Sequence, residues 1–192
     1  MKIAGVILAA GLSSRMGGEN KLLKIWRGKP LIDHVLAAAS ASRLEGCWMV
    51  TGHDHAGVAA CAAGRADVVH NPAYEEGLAS SLRAGVETVE ATGDVDGIVV
   101  LLGDMPLLTS DHIDQMIGAF NQGPRRLVVA SQGSKKGNPV LFGRSYFDAL
   151  KVLTGDRGAR SIIDKAESVH LVDIGEASLR DFDTPDRFHY AG

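Results

Sequence analysis

The residues best suited to chemistry lie in LAAGLSSRMGGENKLL, positions 8–23. An apolar run over 3–10 reads as a buried parallel strand, and it breaks at Gly11 into a loop of small residues. Such a loop lets backbone N–H groups approach a phosphate closely. Arg15 and Lys21, six residues apart, supply positive charge for two points of a polyphosphate. Lys21 is expected to meet phosphate rather than a protein carboxylate. Two other phosphate-binding patterns are excluded. A Walker loop requires Gly, four residues and Gly-Lys-Ser/Thr, whereas five residues separate Gly11 from Gly17 and Gly18 follows. The dinucleotide fingerprint fails because Ser13 occupies the place of its second glycine.

A second candidate is Asp104, in Gly103-Asp104-Met105-Pro106 after the apolar run 98–102. That run predicts a strand near the middle of a sheet. A carboxylate just beyond such a strand suits Mg²⁺, which takes oxygen ligands, although an aspartate in a turn reads the same way. A third is the stretch 71–85, where Gly77 precedes a helix with Leu78, Leu82, Val86 and Val89 inward. Ser80 and Ser81 fall in its first turns, suited to capping or to facing a ligand. A fourth is GDRGAR at 155–160, whose Arg157 and Arg160 beside Gly158 suit an anion, as they would suit solvent. His53 and His55 form a His-x-His pair without a third ligand nearby, which favours a polar loop over a zinc site.

The elements that must position these groups alternate between strand and helix. Strands are expected at 47–51, 67–70, 127–130, 138–142 and 169–174, with residues 181–185 finishing the sheet. Helices are expected from Pro30, over 56–63, from Gly77, after a Thr109 or Ser110 cap, and over 145–153. The connection between 127–130 and 138–142 is too short for a helical crossover, so that pair is expected to be antiparallel. The expectation is a three-layer α/β/α sandwich, Rossmann-like, with a mostly parallel sheet and one antiparallel strand. Ligands would gather beyond the carboxyl ends of the strands.

With 192 residues, 45% hydrophobic and 22% charged, the chain suits one domain with a sizeable core. A net charge of −3 gives no support for a nucleic-acid surface. Cys47 and Cys61 make neither a disulfide framework nor a metal site by spacing, which fits a reducing compartment. The opening Met-Lys and apolar run imitate a secretory signal, but cleavage would remove the first strand. The run is too short for a membrane span, and a cytoplasmic protein is expected.

L-A-A-G-x-S-x-R-M-G followed by N-K resembles the signature loop of nucleotidyltransferases that activate small phosphorylated molecules. The L-A-A-G form with its serine pair resembles the molybdenum cofactor cytidylyltransferase branch, since guanylyl-transferring relatives usually carry glycine where Ala10 stands. G-x-x-x-S-L-x-x-G at 77–85, G-D-M-P at 103–106, G-N-P-V-L-F at 137–142 and GDRGAR extend the likeness nearly end to end. Phe182 departs mildly from the D-I-D-T-P usual near the end.

The resemblance implies a nucleotide-diphospho-sugar transferase-like fold and transfer of CMP from CTP to molybdenum-bound molybdopterin, releasing pyrophosphate. It implies nucleotide contacts at Leu8, Ala9, Ala10, Gly11, Ser13, Ser14, Arg15, Lys21, Gly77, Ser80, Ser81 and Asp104. Arg15, Lys21 and Asp104 would be catalytic, and Asp104 and Asp183 would hold Mg²⁺ or Mn²⁺. Asn138, Pro139, Arg157, Gly158 and Arg160 would bind the acceptor, beside Lys135 and Lys136. Residues 1–110 would mainly serve the nucleotide and 111–192 the acceptor. A molybdenum hydroxylase apoenzyme or its chaperone would receive the product. The alternatives are GTP as donor, a sugar or polyol phosphate as acceptor, and a non-catalytic molybdopterin carrier.

Overall fold

The computed structural model describes residues 1–12, 20–121, 127–156 and 158–182. Its centre is a seven-stranded sheet ordered β5-β4-β1-β6-β8-β7-β9. The strands are β1 (Ile3–Ala9), β4 (Cys47–Thr51), β5 (Asp67–His70), β6 (Gly97–Leu102), β7 (Leu127–Gln132), β8 (Lys135–Gly143) and β9 (His170–Asp173). β8 pairs antiparallel with both β6 and β7, whereas the β1–β4, β1–β6, β4–β5 and β7–β9 pairs are parallel. The expected mostly parallel sheet with one reversed strand is therefore the observed one, and β6 lies at its middle.

Every residue of β1 is buried, as its uninterrupted apolar run requires of a strand covered on both faces. Its side chains alternate between two cores. Ile3 and Ile7 join α1 (Leu31–Ser40), α2 (His55–Ala60) and α4 (Ser110–Asn121) through Leu36, Val58 and Met116. Ala4, Val6 and Leu8 join α3 (Leu78–Thr92), α5 (Phe147–Lys151) and α6 (Arg160–Lys165) through Val86, Phe147 and Ile163. Three layers result.

Some local expectations need correction. The helix expected over 145–153 is a 3-10 turn at Arg144–Tyr146 followed by the short α5. β8 begins three residues before 138, pairing back across Gly133 and Ser134 to Gln132. A small hairpin, β2 (Ile25–Trp26) and β3 (Lys29–Pro30), turns through Arg27 and Gly28, both at positive φ. Asp181 and Phe182 add no strand. Phe182 is instead fully buried, edge-on to Trp26 at 5.2 Å and packed with Leu31, because a large apolar ring next to the hairpin gains more from that cluster than from an exposed sheet edge.

Candidate functional site

The chain runs from β1 outward to β4 and β5, then returns to β6 on the other side of β1. That reversal opens a crevice beyond the carboxyl ends of β1 and β6. A cavity of about 520 Å³ occupies it, lined by Ala10, Gly11, Lys21, Gly77, Ser81 and Asp104 among others. Leu8 and Ala9 line it as well.

Asp104 is held there by backbone. Gly103 N–H donates to Leu8 O at 3.0 Å, and a Cβ on Gly103 would stand 2.8 Å from Ile32 Cδ1. That Cβ would also lie 3.2 Å from Leu8 O, a tight approach to the end of β1 that a glycine relieves. On the far side, Phe182 N–H donates to Asp104 O at 3.0 Å, tying residues 181–182 to the same floor. Lys21 opens a 3-10 turn, Lys21–Leu23, capped by Asn20. Asn20 Oδ1 accepts from Leu22 N–H at 3.0 Å, and Asn20 Nδ2 donates to His53 O at 3.4 Å.

The Lys21 ammonium then lies 2.6 Å from Asp104 Oδ2, with side chains only 16% and 15% exposed. This corrects the expectation that Lys21 would meet no protein carboxylate. Two opposite charges converging on one sparsely hydrated floor satisfy each other.

The second wall is the start of α3. Asn71 Nδ2 donates to Ser80 Oγ and Ser81 Oγ at 2.9 and 3.0 Å. Ser80 turns its own hydroxyl to the carbonyls of Ala73 and Gly77, both at 2.9 Å. Ser81 lines the cavity. Leu78 does not face inward as the helical period suggested. It is 39% exposed and lines the cleft, and a loop bearing Gly155, Asp156 and Gly158 packs against the helix start. Gly155 O accepts from Ala79 N–H at 3.1 Å, and Gly77 sits at φ 103° with Gly155 C 2.8 Å from where its Cβ would be. Any side chain at Gly77 would be strained and would collide with that loop.

This contact sets Asp156 in the wall of the 520 Å³ cavity, and Asp181 and Tyr74 line it too. Sequence reading passed over all three. Asp156 stood inside GDRGAR, but the arginines drew the inference.

A second cavity, about 270 Å³, adjoins the first and shares Leu8, Leu78 and Leu102 with it. Lys136, Asn138, Gly158 and Arg160 all line it. Pro139, joined to Asn138 by a cis peptide, is buried. Ser13, Ser14, Arg15, Arg157 and Asp183 lie outside the described residues. His55 accepts or donates at Thr51 Oγ1 through Nδ1 (2.7 Å) and stacks on His70 at 4.3 Å, so it belongs to a polar cluster at the ends of β4 and β5. Among the described residues no three metal-ligating side chains converge, and no helix is long and apolar enough to cross a membrane.

A seven-stranded, mostly parallel sheet with one reversed strand and helices on both faces is a nucleotide-diphospho-sugar transferase-like fold. Within that class the chain belongs to the MobA-like NTP transferase domain family, which it matches over residues 5–170. It is 32% identical to the purine catabolism protein PucB of Bacillus subtilis, covering 97% of this chain and 94% of PucB. It is 27% identical to Rv0371c of Mycobacterium tuberculosis, with TM-score 0.83 over 98% of this chain and 95% of that one. A structure of Rv0371c with manganese aligns at TM-score 0.80 and 23% identity, over 98% and 96% of the two chains. In fold alone, the chain is also similar to molybdopterin-guanine dinucleotide biosynthesis protein A of Archaeoglobus fulgidus. That likeness has TM-score 0.72 and 17% identity, covering 98% and 95% of the two chains.

Proposed function

We propose that this protein transfers CMP from CTP to the terminal phosphate of molybdenum-bound molybdopterin, forming the cytosine dinucleotide cofactor and pyrophosphate. One observation carries the reading: two cavities adjoin across Leu8, Leu78 and Leu102, so a donor in one meets an acceptor in the other. The family membership supplies the reaction type. An acceptor phosphate oxygen attacks the α-phosphorus of CTP as the bond to the pyrophosphate oxygen breaks. The attacking oxygen is already anionic, so alignment and charge neutralisation suffice and no side-chain nucleophile is required.

Lys21, with Arg15, neutralises the triphosphate and the departing pyrophosphate in this reading, while Ala10, Gly11, Gly77 and Ser81 shape the nucleotide wall. The donor set at the floor fits a hard divalent cation, since Asp104 and Asp181 carboxylates line one cavity and Asp183 follows two residues on. When bound there, Mg²⁺ or Mn²⁺ would withdraw charge from the phosphoryl oxygens. The manganese complex of Rv0371c supports a divalent ion in this class. The polar rim of the second cavity comes wholly from 111–192, in keeping with an acceptor half that follows a nucleotide half over 1–110.

We assign the reaction to the cytoplasm, in keeping with the free thiols of Cys47 and Cys61. The receiving partner is a molybdenum hydroxylase apoenzyme or its chaperone, and PucB's place in purine catabolism agrees with a hydroxylase acting on heterocycles.

The test is pyrophosphate release from each of the four nucleoside triphosphates with authentic molybdopterin and either Mg²⁺ or Mn²⁺. CTP-dependent release supports the proposal. Release with GTP alone replaces the donor, transfer only to sugar or polyol phosphates replaces the acceptor, and binding without turnover makes the protein a carrier.

A further inference from the structure

The second cavity has walls of one kind and a rim of another. Leu82 and Ile163 from the helices and Val100, Val129 and Phe142 from the sheet make its interior apolar. Lys136, Asn138, Arg160 and Asp164 supply the polar groups around it. Among the described residues, none of these four side chains makes a hydrogen bond or ion pair with the protein. Arg160 and Asp164 stand one helical turn apart on α6, the spacing at which opposite charges commonly pair. Both line the cavity without pairing.

Apolar walls do not suit a sugar or polyol, whose hydroxyls need partners on every side. They suit the two faces of a flat ring system, which leaves only its edge to be read by the rim. At about 270 Å³ the space takes a fused bicyclic ring, with the rest of a larger molecule extending past the rim. Lys136 and Arg160 answer an anionic end. Asp164 is the one carboxylate of this cavity, and it answers a donor edge. A 2-amino-4-oxopyrimidine ring offers an exocyclic amine and an adjacent ring N–H in parallel. That pair matches the two oxygens of a carboxylate as a guanidinium does.

We propose that Asp164 is a specificity-determining residue that reads the 2-amino-4-oxo edge of a pteridine held in this cavity. The inference rests on the acceptor reading above and adds the residue that selects the heterocycle.

The test uses the whole chain and two phosphate-free probes, pterin (2-amino-4-oxopteridine) and lumazine (2,4-dioxopteridine), titrated by fluorescence. The wild type should bind pterin about tenfold more tightly than lumazine, the discrimination of one good two-point pair. Asp164→Ala should remove that preference with CTP affinity unchanged. Asp164→Asn should reverse it, because an amide offers one donor and one acceptor to the lumazine edge; a merely structural role for Asp164 would not reverse a preference. Equal binding of the probes by the wild type, or a preference that survives in Asp164→Ala, overturns the proposal. Guanosine carries the same edge on a smaller ring system, so it is titrated alongside. Asp164-dependent guanosine binding without pterin binding would assign the cavity to a guanine nucleotide and also overturn it. The two readings fail separately. Pterin preference through Asp164 with no pyrophosphate release sinks the transferase alone, and transfer to molybdopterin without probe discrimination sinks this inference alone.

Discussion

Removing the Lys21 ammonium should change stability, metal binding and catalysis in three separable ways. In the structure its nitrogen lies 2.6 Å from Asp104 Oδ2, and the two side chains are 16% and 15% exposed. Exposed ion pairs contribute about 0–1 kcal/mol, and breaking a fully buried one costs about 3–5 kcal/mol. A pair retaining this much solvent contact falls between, so Lys21→Ala should destabilise by about 1–2 kcal/mol. For a chain of this length each kcal/mol moves Tm by about 2–4 °C, giving a fall of about 2–8 °C by calorimetry. In an Asp104→Asn background the same substitution should cost clearly less, since the charged partner is already gone.

Metal binding should move the other way. A divalent ion at Asp104 competes with the ammonium, so without nucleotide Lys21→Ala should bind Mn²⁺ more tightly. Recovering about 1.4 kcal/mol would raise affinity tenfold, measurable by titration calorimetry or paramagnetic relaxation. Turnover with CTP should nevertheless fall, because the same ammonium is assigned to the triphosphate. The combination is diagnostic: a weaker Mn²⁺ site in Lys21→Ala would mean that the lysine builds the site rather than competes for it. An unchanged Tm would mean that the pair contributes nothing to the fold.

Asp104→Asn should leave the chain folded by circular dichroism and lower kcat by about 10²-fold or more, the scale of losing one preorganised electrostatic group; near-normal turnover at saturating Mg²⁺ would refute the assignment. Arg160→Ala should raise the KM for molybdopterin while the Kd for CTP holds, and Arg157→Ala should do the same; the reverse pattern would undo the division into nucleotide and acceptor sides. Ala10→Gly should raise GTP use only modestly in kcat/KM ratios, because a single methyl discriminates by about 1–3 kcal/mol. The Ala10 methyl is also nearly buried, close against Gly52. Burial pushes the Cys47 thiol up to about 12, and burial with the Asp33 carboxylate raises Cys61 above its ordinary value. Alkylation at pH 8 followed by mass spectrometry should therefore leave Cys47 unlabelled until the protein unfolds, with Cys61 modified slowly.

The parts of this fold legible in the sequence are those decided by local pattern. β1 and β6 announce themselves because a strand covered on both faces must be apolar throughout. β8 is legible as reversed because the residues between 130 and 138 leave no room for a crossover helix, and the structure shortens that connection to Gly133 and Ser134. The hairpin of β2 and β3 was hidden, since two-residue strands have no period and Pro30 argues against a strand.

The candidate site was legible only as separate pieces. Lys21 and Asp104 stood out singly, but their contact joins residues 83 positions apart and depends on how Asn20 caps its turn. Leu78 fits the helical period of α3 and yet lines the cleft as the first residue of the helix. Asp156 and Asp181 became visible as cavity walls only when the chain's last third crossed back over its first.

That crossing bears on what the proposed reaction requires. An anionic acceptor must approach an anionic triphosphate, and water screens neither charge well enough to align them. The cavities meet at Leu8, Leu78 and Leu102, three apolar side chains. Charged groups stand on either side of this septum: Lys21 with the carboxylates of Glu75, Asp104, Asp156 and Asp181 in one cavity, and Lys136 and Arg160 with Asp164 in the other. In the proposed reaction a divalent cation would offset the carboxylates of the first cavity and Lys136 with Arg160 would answer the acceptor's charge, while the place where the cavities meet is lined by leucines. Apolar side chains at the junction strengthen the remaining electrostatic contacts by excluding solvent. The septum in turn depends on two glycines at positive φ, Gly77 and Gly158. A Cβ at Gly158 would lie 2.9 Å from Leu78 Cδ2, and one at Gly77 would meet the backbone of Gly155. A side chain at either would push Gly155 or Gly158 away from the start of α3. The junction between the two cavities is therefore built by backbone proximity, which explains why glycines mark both of the motifs that meet there.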